Sequence, residues 1–234
     1  MRESRVRLDC GLVLLKGYNR ITKRVRRLPE RMMLVSGLSG TAKTNECSSL
    51  SRQKGDIFIT ISANESPSSL MRKLCLEASI SPSHRTADME VALAERLGSL
   101  GKTIFVDEAD FMFRSRYRVL LAEALRVIHD RACVPIIFIG QPALEGQIAR
   151  YPHLDRRIVQ RVRFGSLSLE DANRLVKELC EIEVERQLVA QILHSCPTIG
   201  LFLNEIERIE SAAKIQQWQK LSFDSYSSLA QVME

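Results

Sequence analysis

Apolar and polar positions alternate in blocks along this chain. Four short apolar runs stand out: Met32-Met33-Leu34-Val35, the core of 56–61, Ile104-Phe105-Val106, and Val134-Pro135-Ile136-Ile137-Phe138-Ile139. Runs this short, closed by polar or glycine-rich sequence, read as strands buried on both faces, at about 32–36, 56–61, 104–108 and 134–140. The intervening segments have helical spacing. A helix is expected over 11–28 with Leu12, Leu15, Ile21 and Val25 inward, and a short one near 43–52. Ser66-Pro67 is a helix start, serine capping and proline at the first turn, with Leu70, Leu74 and Ala78 on the buried side. Met89, Leu93 and Leu97 place a helix over 86–99, and another is expected over 116–131. Strands alternating with helices predict an α/β domain, a parallel sheet covered on both faces. After about residue 166 the strands are expected to stop. Three helices follow, one capped by Ser168 and carrying Leu169, Ala172, Leu175, Val176 and Leu179; one with Val184, Leu188, Val189 and Ile192; one with Leu203, Ile206 and Ile209.

The first strand runs into Gly37-Leu38-Ser39-Gly40-Thr41-Ala42-Lys43-Thr44, a phosphate-binding loop with one substitution. Glycines let successive backbone N–H groups face phosphate oxygens, and the following helix N-terminus adds partial positive charge. Lys43 is expected on the β- and γ-phosphates and Thr44 on Mg²⁺; Gly37 to Thr44 with Asn45 form the expected nucleotide-binding set. Ala42 replaces the usual third glycine, a change that costs little if its φ stays negative. The third run ends in Asp107-Glu108, carboxylates at the C-terminal edge of a strand, where open α/β sheets bind ligands. Asp107 is expected to hold Mg²⁺ through water, and Glu108 to polarise the attacking water as general base. Without a guanine-reading Asn-Lys-x-Asp, the expected nucleotide is ATP.

Hydrophobic content of 45% suits a globular protein of one sizeable domain and a small appendage. No apolar run approaches the roughly 20 residues that span a bilayer, and no signal-peptide core follows the N-terminus. The six cysteines lack paired metal spacing and read as reduced residues of a cytoplasmic protein. The scattered histidines give no metal site. Net charge is +6, and its distribution is uneven: Lys16, Arg20, Lys23, Arg24, Arg26, Arg27 and Arg31 form one cluster, Arg114, Arg116 and Arg118 another. Such clusters contact nucleic-acid phosphates in many proteins; a solvated helix face is the plainer alternative.

The run Ile104 to Asp110, then Leu125-Arg126-Val127-Ile128-His129-Asp130, then Val134 to Gly140-Gln141-Pro142, resembles the AAA+ transposition ATPases of the phage Mu B and Tn7 C type. The resemblance implies a P-loop NTPase fold of AAA+ type, with a parallel sheet flanked by helices and followed by a small helical lid. It divides the chain into a basic helical segment (1–30), an α/β nucleotide-binding core (31–165), a lid (166–213) and a polar tail (214–234). It also implies roles. Gln141 lies where such ATPases carry a polar γ-phosphate sensor, and Arg156 or Arg157 where they carry an arginine finger for a neighbouring subunit. The lid segment Thr198 to Leu203 lacks the second-sensor arginine of the family. Mu B-type members have an N-terminal helix-turn-helix region; about 30 residues precede the first strand here, so DNA binding is expected to fall to the core. Arg72, Lys73, Arg114, Arg116 and Arg118 are the expected DNA contacts.

The implied function is an ATP-dependent protein that forms a ring or filament of copies on double-stranded target DNA and recruits or activates a transposase, with slow, stimulated hydrolysis dissolving the assembly. No membrane partner is expected. A secretion- or signalling-type ATPase with a protein partner, and a nucleotide-binding scaffold with little hydrolysis, are the alternatives. Asp107-Glu108-Ala109-Asp110 also spells an RNA-helicase motif, but the chain has no room for a second motor domain, so Asp110 reads as coincidental, a helix-start residue.

Overall fold

The computed structural model describes residues 6, 8–25, 28–223 and 226. It forms two compact units: one holds Val13–Leu38 and Lys43–Phe164, the other residues up to Leu12, Ser39–Ala42 and those from Gly165 on.

The larger unit is a five-stranded parallel sheet. In chain order come α1 (Asp9–Thr22), β1 (Met32–Gly37), α2 (Lys43–Lys54), β2 (Ile57–Thr60), α3 (Pro67–Glu77), α4 (Thr86–Leu100), β3 (Ile104–Asp107), α5 (Asp110–Arg114), α6 (Arg118–Ala132), β4 (Ile136–Gly140), α7 (Ala143–Ala149), α8 (Pro152–Asp155) and β5 (Ile158–Phe164). The strand order is β2-β3-β4-β1-β5. In register, Ser36 of β1 lies opposite Gly140 of β4, and Thr60 of β2 opposite Asp107 of β3. The ends of β1, β3 and β4 therefore share one edge of the sheet. Every residue of β1, β3 and β4 is buried, as a strand covered on both faces requires. Ser66 caps α3 by accepting the Ser69 N–H, with Pro67 at the first helical position.

Three expectations are corrected here. The first helix ends at Thr22, not 28, and its buried face is Leu14, Gly17, Tyr18 and Ile21; Leu12 and Val25 are exposed and Leu15 half-buried. Gly17 sets that rotation, since a Cβ there would stand 2.8 Å from Met33 Sδ and 3.0 Å from Gln160 Cγ. The helix lies on the sheet through its smallest residue. A fifth core strand, β5, completes the sheet beside β1. It is an edge strand whose Gln160, Arg161 and Arg163 are not buried, and Arg161 and Arg163 pair with Asp155 and Glu145.

The strands also do not stop at 166. The smaller unit comprises α9 (Leu169–Leu179), β6 (Glu183–Val184), α10 (Arg186–Ser195), α11 (Ile199–Ile215) and β7 (Lys220–Leu221), with β6 and β7 paired in parallel. Ala172, Val176, Leu188, Val189, Ile192, Phe202, Ile206 and Ile209 form its core, against which Trp218 packs. Leu8 buries against Leu175 and Leu179. Ser168 caps α9 through the Asp171 N–H. Among the described residues, no helix is long and apolar enough to cross a membrane.

Candidate functional site

The edge shared by β1, β3 and β4 gathers the residues with chemistry. The loop leaving β1 turns at Gly40 and Ala42, with φ of 77° and 63°. Positive φ at Ala42 corrects the expectation of a cheap substitution. The turn demands the left-handed conformation that glycine adopts freely and alanine only at a cost of about 1 kcal/mol. Lys43 and Thr44 open α2. Lys43 is buried, its Nζ donating to the Leu38 carbonyl at 3.2 Å, so the ammonium is folded into the loop. Gly37 and Thr41 are buried; Leu38, Ser39, Gly40 and Asn45 are exposed.

Thr44 Oγ1 donates to Asp107 Oδ1 at 3.3 Å, bringing the loop and the acidic strand into contact. Asp107 is buried, and burial pushes its carboxyl above the usual range; the Glu108 backbone N–H, the Thr44 hydroxyl and the Lys43 ammonium offset this only in part. Two oxygens this close, one on a carboxyl held unfavourably as an anion, fit a hard divalent cation: Thr44 and Asp107 would hold Mg²⁺, and its charge would restore the carboxylate. Glu108 follows in a left-handed turn, φ 52°, half-buried. Gln141 is half-buried at the end of β4 and donates its backbone N–H to Asp110 Oδ2 at 2.7 Å. Asp110 thus reaches Gln141, the residue expected as sensor, a link that its reading as a coincidental helix-start residue missed.

The two arginines expected as fingers differ. Arg156 is exposed. Arg157 is buried and grips Asp130 with two bonds, Nε to Oδ1 at 2.9 Å and Nη2 to Oδ2 at 2.7 Å, and also donates to the His153 carbonyl. In this chain Arg157 clamps Asp130, and Arg156 is the freer of the two candidates. The same segment places His129 between the Pro29 and Val134 carbonyls, each 2.6 Å from a ring nitrogen.

Among the expected DNA contacts, Arg72, Arg114, Arg116 and Arg118 are exposed. Arg114, Ser115, Arg116 and Tyr117 line a groove of about 460 Å³ with Ala63, Asn64 and Glu65, and the Arg116 guanidinium stacks 4.7 Å from the Tyr117 ring centroid. Lys73 is corrected. Its ammonium pairs with the fully buried Glu65 and donates to the Thr60 carbonyl at 2.9 Å, so it is spent on the fold. Glu65 also accepts from the Ser62 N–H and hydroxyl and the Ser69 hydroxyl. Ser115 Oγ donates to the Glu65 carbonyl at 3.3 Å, joining the two walls of the groove. The N-terminal basic cluster does not form one free face either. Arg31 is buried on the Ile21 and Cys133 carbonyls, Arg20 donates to Gln160 and Arg24 pairs with Glu30; Arg26 and Arg27 lie outside the described residues.

In the smaller unit, Thr198 caps α11, and the Gly200 N–H donates to the Gly40 carbonyl at 2.9 Å. A backbone contact occupies the segment that lacks the family's lid arginine.

A family model described as an AAA domain matches residues 26–148, more than half of the chain. A Staphylococcus aureus protein described as a potential ATP-binding protein is 36% identical over 74 residues; the match spans 32% of this chain and only 26% of that relative. Among solved structures, the chain is similar to Cdc6p from Pyrobaculum aerophilum (TM-score 0.66, 15% identity, 94% of this chain and 66% of that one). It is also similar to the Aeropyrum pernix ORC2 protein in its ADPNP–ADP complexes (0.64, 13%, 95% and 67%). The Aeropyrum pernix ORC1 protein in complex with DNA gives a TM-score of 0.61 at 14% identity, over 99% of this chain and 66% of that one. At these identities the likeness is one of fold.

Proposed function

Since the chain belongs to the AAA-domain family, we propose that it is an ATP-dependent DNA-binding protein of the Mu B and Tn7 C type, cytoplasmic, assembling as copies on target DNA to recruit or activate a transposase. The residues divide the work. The backbone of Gly37 to Ala42, with Lys43, Thr44 and Asn45, holds the phosphates of ATP. Thr44 and Asp107 would hold Mg²⁺, which would supply positive charge against the phosphates. Glu108 accepts a proton from the attacking water, Gln141 reports on the γ-phosphate, and Arg156 of one copy offsets transition-state charge in the next.

DNA contact falls to Arg72, Arg114, Arg116 and Arg118. α5 begins directly after the Asp107-Glu108 turn and ends at Arg114, so one short helix joins the hydrolytic turn to the basic groove. That connection supports coupling, which requires DNA to bind the ATP and ADP states with different affinity. Hydrolysis then releases the assembly.

The observation that carries the reading is the contact of Thr44 with Asp107 in the same unit as an exposed, arginine-lined groove. Duplex-DNA retention tests it, measured with ADP, with a slowly hydrolysed ATP analogue and without nucleotide across a salt series. The expected result is analogue-dependent retention that weakens with salt, the slope falling by about one for each of Arg114→Ala, Arg116→Ala and Arg118→Ala. Retention indifferent to nucleotide, or none, overturns it in favour of a secretion- or signalling-type ATPase with a protein partner.

A further inference from the structure

Asp110 stands beside the hydrolytic turn with no part in the scheme above. An acid at the first residue of a helix ordinarily faces the N–H groups of its own first turn. Asp110 reaches across the sheet edge instead: Oδ2 accepts the Gln141 N–H at 2.7 Å, from 31 residues further along the chain. A backbone N–H bonded to a carboxylate is a charge-assisted contact. The side chain is buried, and Oδ1 has no hydrogen-bond partner among the described residues. Gly140 makes the approach possible, because a Cβ there would lie 2.1 Å from Oδ2. A second bond runs alongside, from the Ala109 N–H to the Ile139 carbonyl at 2.9 Å. Two consecutive residues after Glu108 are thus fastened to the end of β4. Glu108 itself has φ 52°, a conformation that a non-glycine residue keeps only where its surroundings over-determine it.

We propose that Asp110 is the positioning residue of the hydrolytic site, its carboxylate tying the Gln141 sensor to the Glu108 turn so that the two hold a fixed relation. The inference rests on the roles given above to Glu108 and Gln141. Misplacing a reacting group by about 1 Å costs on the order of a hundredfold in rate, so the staple acts on turnover, not on nucleotide affinity.

The test is ATP-dependent phosphate release by the full chain with duplex DNA present, for wild type, Asp110→Ala, Asp110→Asn and Glu108→Gln. Hydrogen exchange over 107–116 and 138–144 is followed in parallel. Asp110→Ala is expected to lower kcat about tenfold to a hundredfold with KM within about threefold, and to speed exchange in those two segments. Asp110→Asn, whose amide oxygen still accepts the Gln141 N–H, is expected to recover most of kcat. Unchanged kcat in Asp110→Ala beside an inactive Glu108→Gln overturns the inference and leaves the hydrolase reading intact. Wild-type turnover in Glu108→Gln overturns both. If Asp110→Ala does not fold, Gly140→Ala displaces the same carboxylate; turnover near wild type in Asp110→Asn and low in Gly140→Ala supports the inference, and equal turnover in the two overturns it.

Discussion

Arg156 and Arg157 adjoin in sequence, and the structure separates their consequences. Arg157→Ala removes a bidentate pair to Asp130 in which the arginine side chain is 6% exposed and the aspartate 28%. Removing one partner of a buried pair costs about 3–5 kcal/mol. Asp130 is partly solvated and keeps Arg126 at 2.6 Å, so the cost here is nearer about 2–3 kcal/mol. For a chain of this size each kcal/mol moves Tm by about 2–4 °C, which gives a fall of about 4–12 °C. Arg156→Ala removes an exposed side chain and is expected to leave Tm within about 2 °C. If Arg156 is the finger, its loss lowers DNA-stimulated phosphate release by about a thousandfold. Differential scanning fluorimetry and a phosphate-release assay on the two variants decide the matter. An Arg157→Ala protein that melts like wild type yet has lost hydrolysis would refute the reasoning, since it would make Arg157 the group that acts on the neighbour.

Three further outcomes follow from the geometry. Burial raises the carboxyl pKa of Glu65, but Lys73 and the Ser62 and Ser69 donors outweigh it and leave it below the ordinary value; at Asp130, burial is likewise outweighed by Arg157. Depressed carboxylates stabilise the fold above their unfolded pKa, so Tm should hold near neutrality and drop as pH falls from the ordinary carboxylate values of 4.5 and 3.8 through the folded ones, less steeply in Glu65→Gln. Ala42→Gly relieves left-handed strain worth about 1 kcal/mol, less glycine's unfolded-state entropy, and should raise Tm by up to about 4 °C, as calorimetric melting would read. Burial raises the Asp107 carboxyl above its ordinary 3.8, so protons compete with Mg²⁺ there at a higher pH than at a solvated aspartate; Mg²⁺-nucleotide affinity should weaken as pH falls toward that raised value, and Asp107→Asn should bind weakly with a smaller pH dependence in titration calorimetry.

How much of this was legible follows from what each strand faces. β1, β3 and β4 are covered on both sides and had to be apolar along most of their length, so they announce themselves. β5 lies at the sheet edge, turns Arg161 and Arg163 to surface carboxylates, and resembles a loop. β6 and β7 are two residues each, too short for any period. The face of α1 depended on Gly17, whose lack of a side chain decides the packing, while hydrophobicity pointed to Leu12 and Val25. The Gly37 to Thr44 loop and the acidic pair could be singled out as candidates because their pattern is local in sequence, and the structure brings them into contact. The backbone of Ala42, the clamp of Arg157 on Asp130 and the bond from Gln141 to Asp110 could not. The first is set by the turn, and the other two join residues 27 and 31 positions apart.

The proposed site holds a triphosphate and its metal between the loop of Gly37 to Thr44 and the acids that end β3. Titration of Mg²⁺-ATP into wild type, Lys43→Ala and Thr44→Ala by calorimetry tests it most directly. One site per chain in wild type, lost in Lys43→Ala and stripped of its Mg²⁺ dependence in Thr44→Ala, is the predicted result. No heat from wild type, or equal binding by all three, would contradict it.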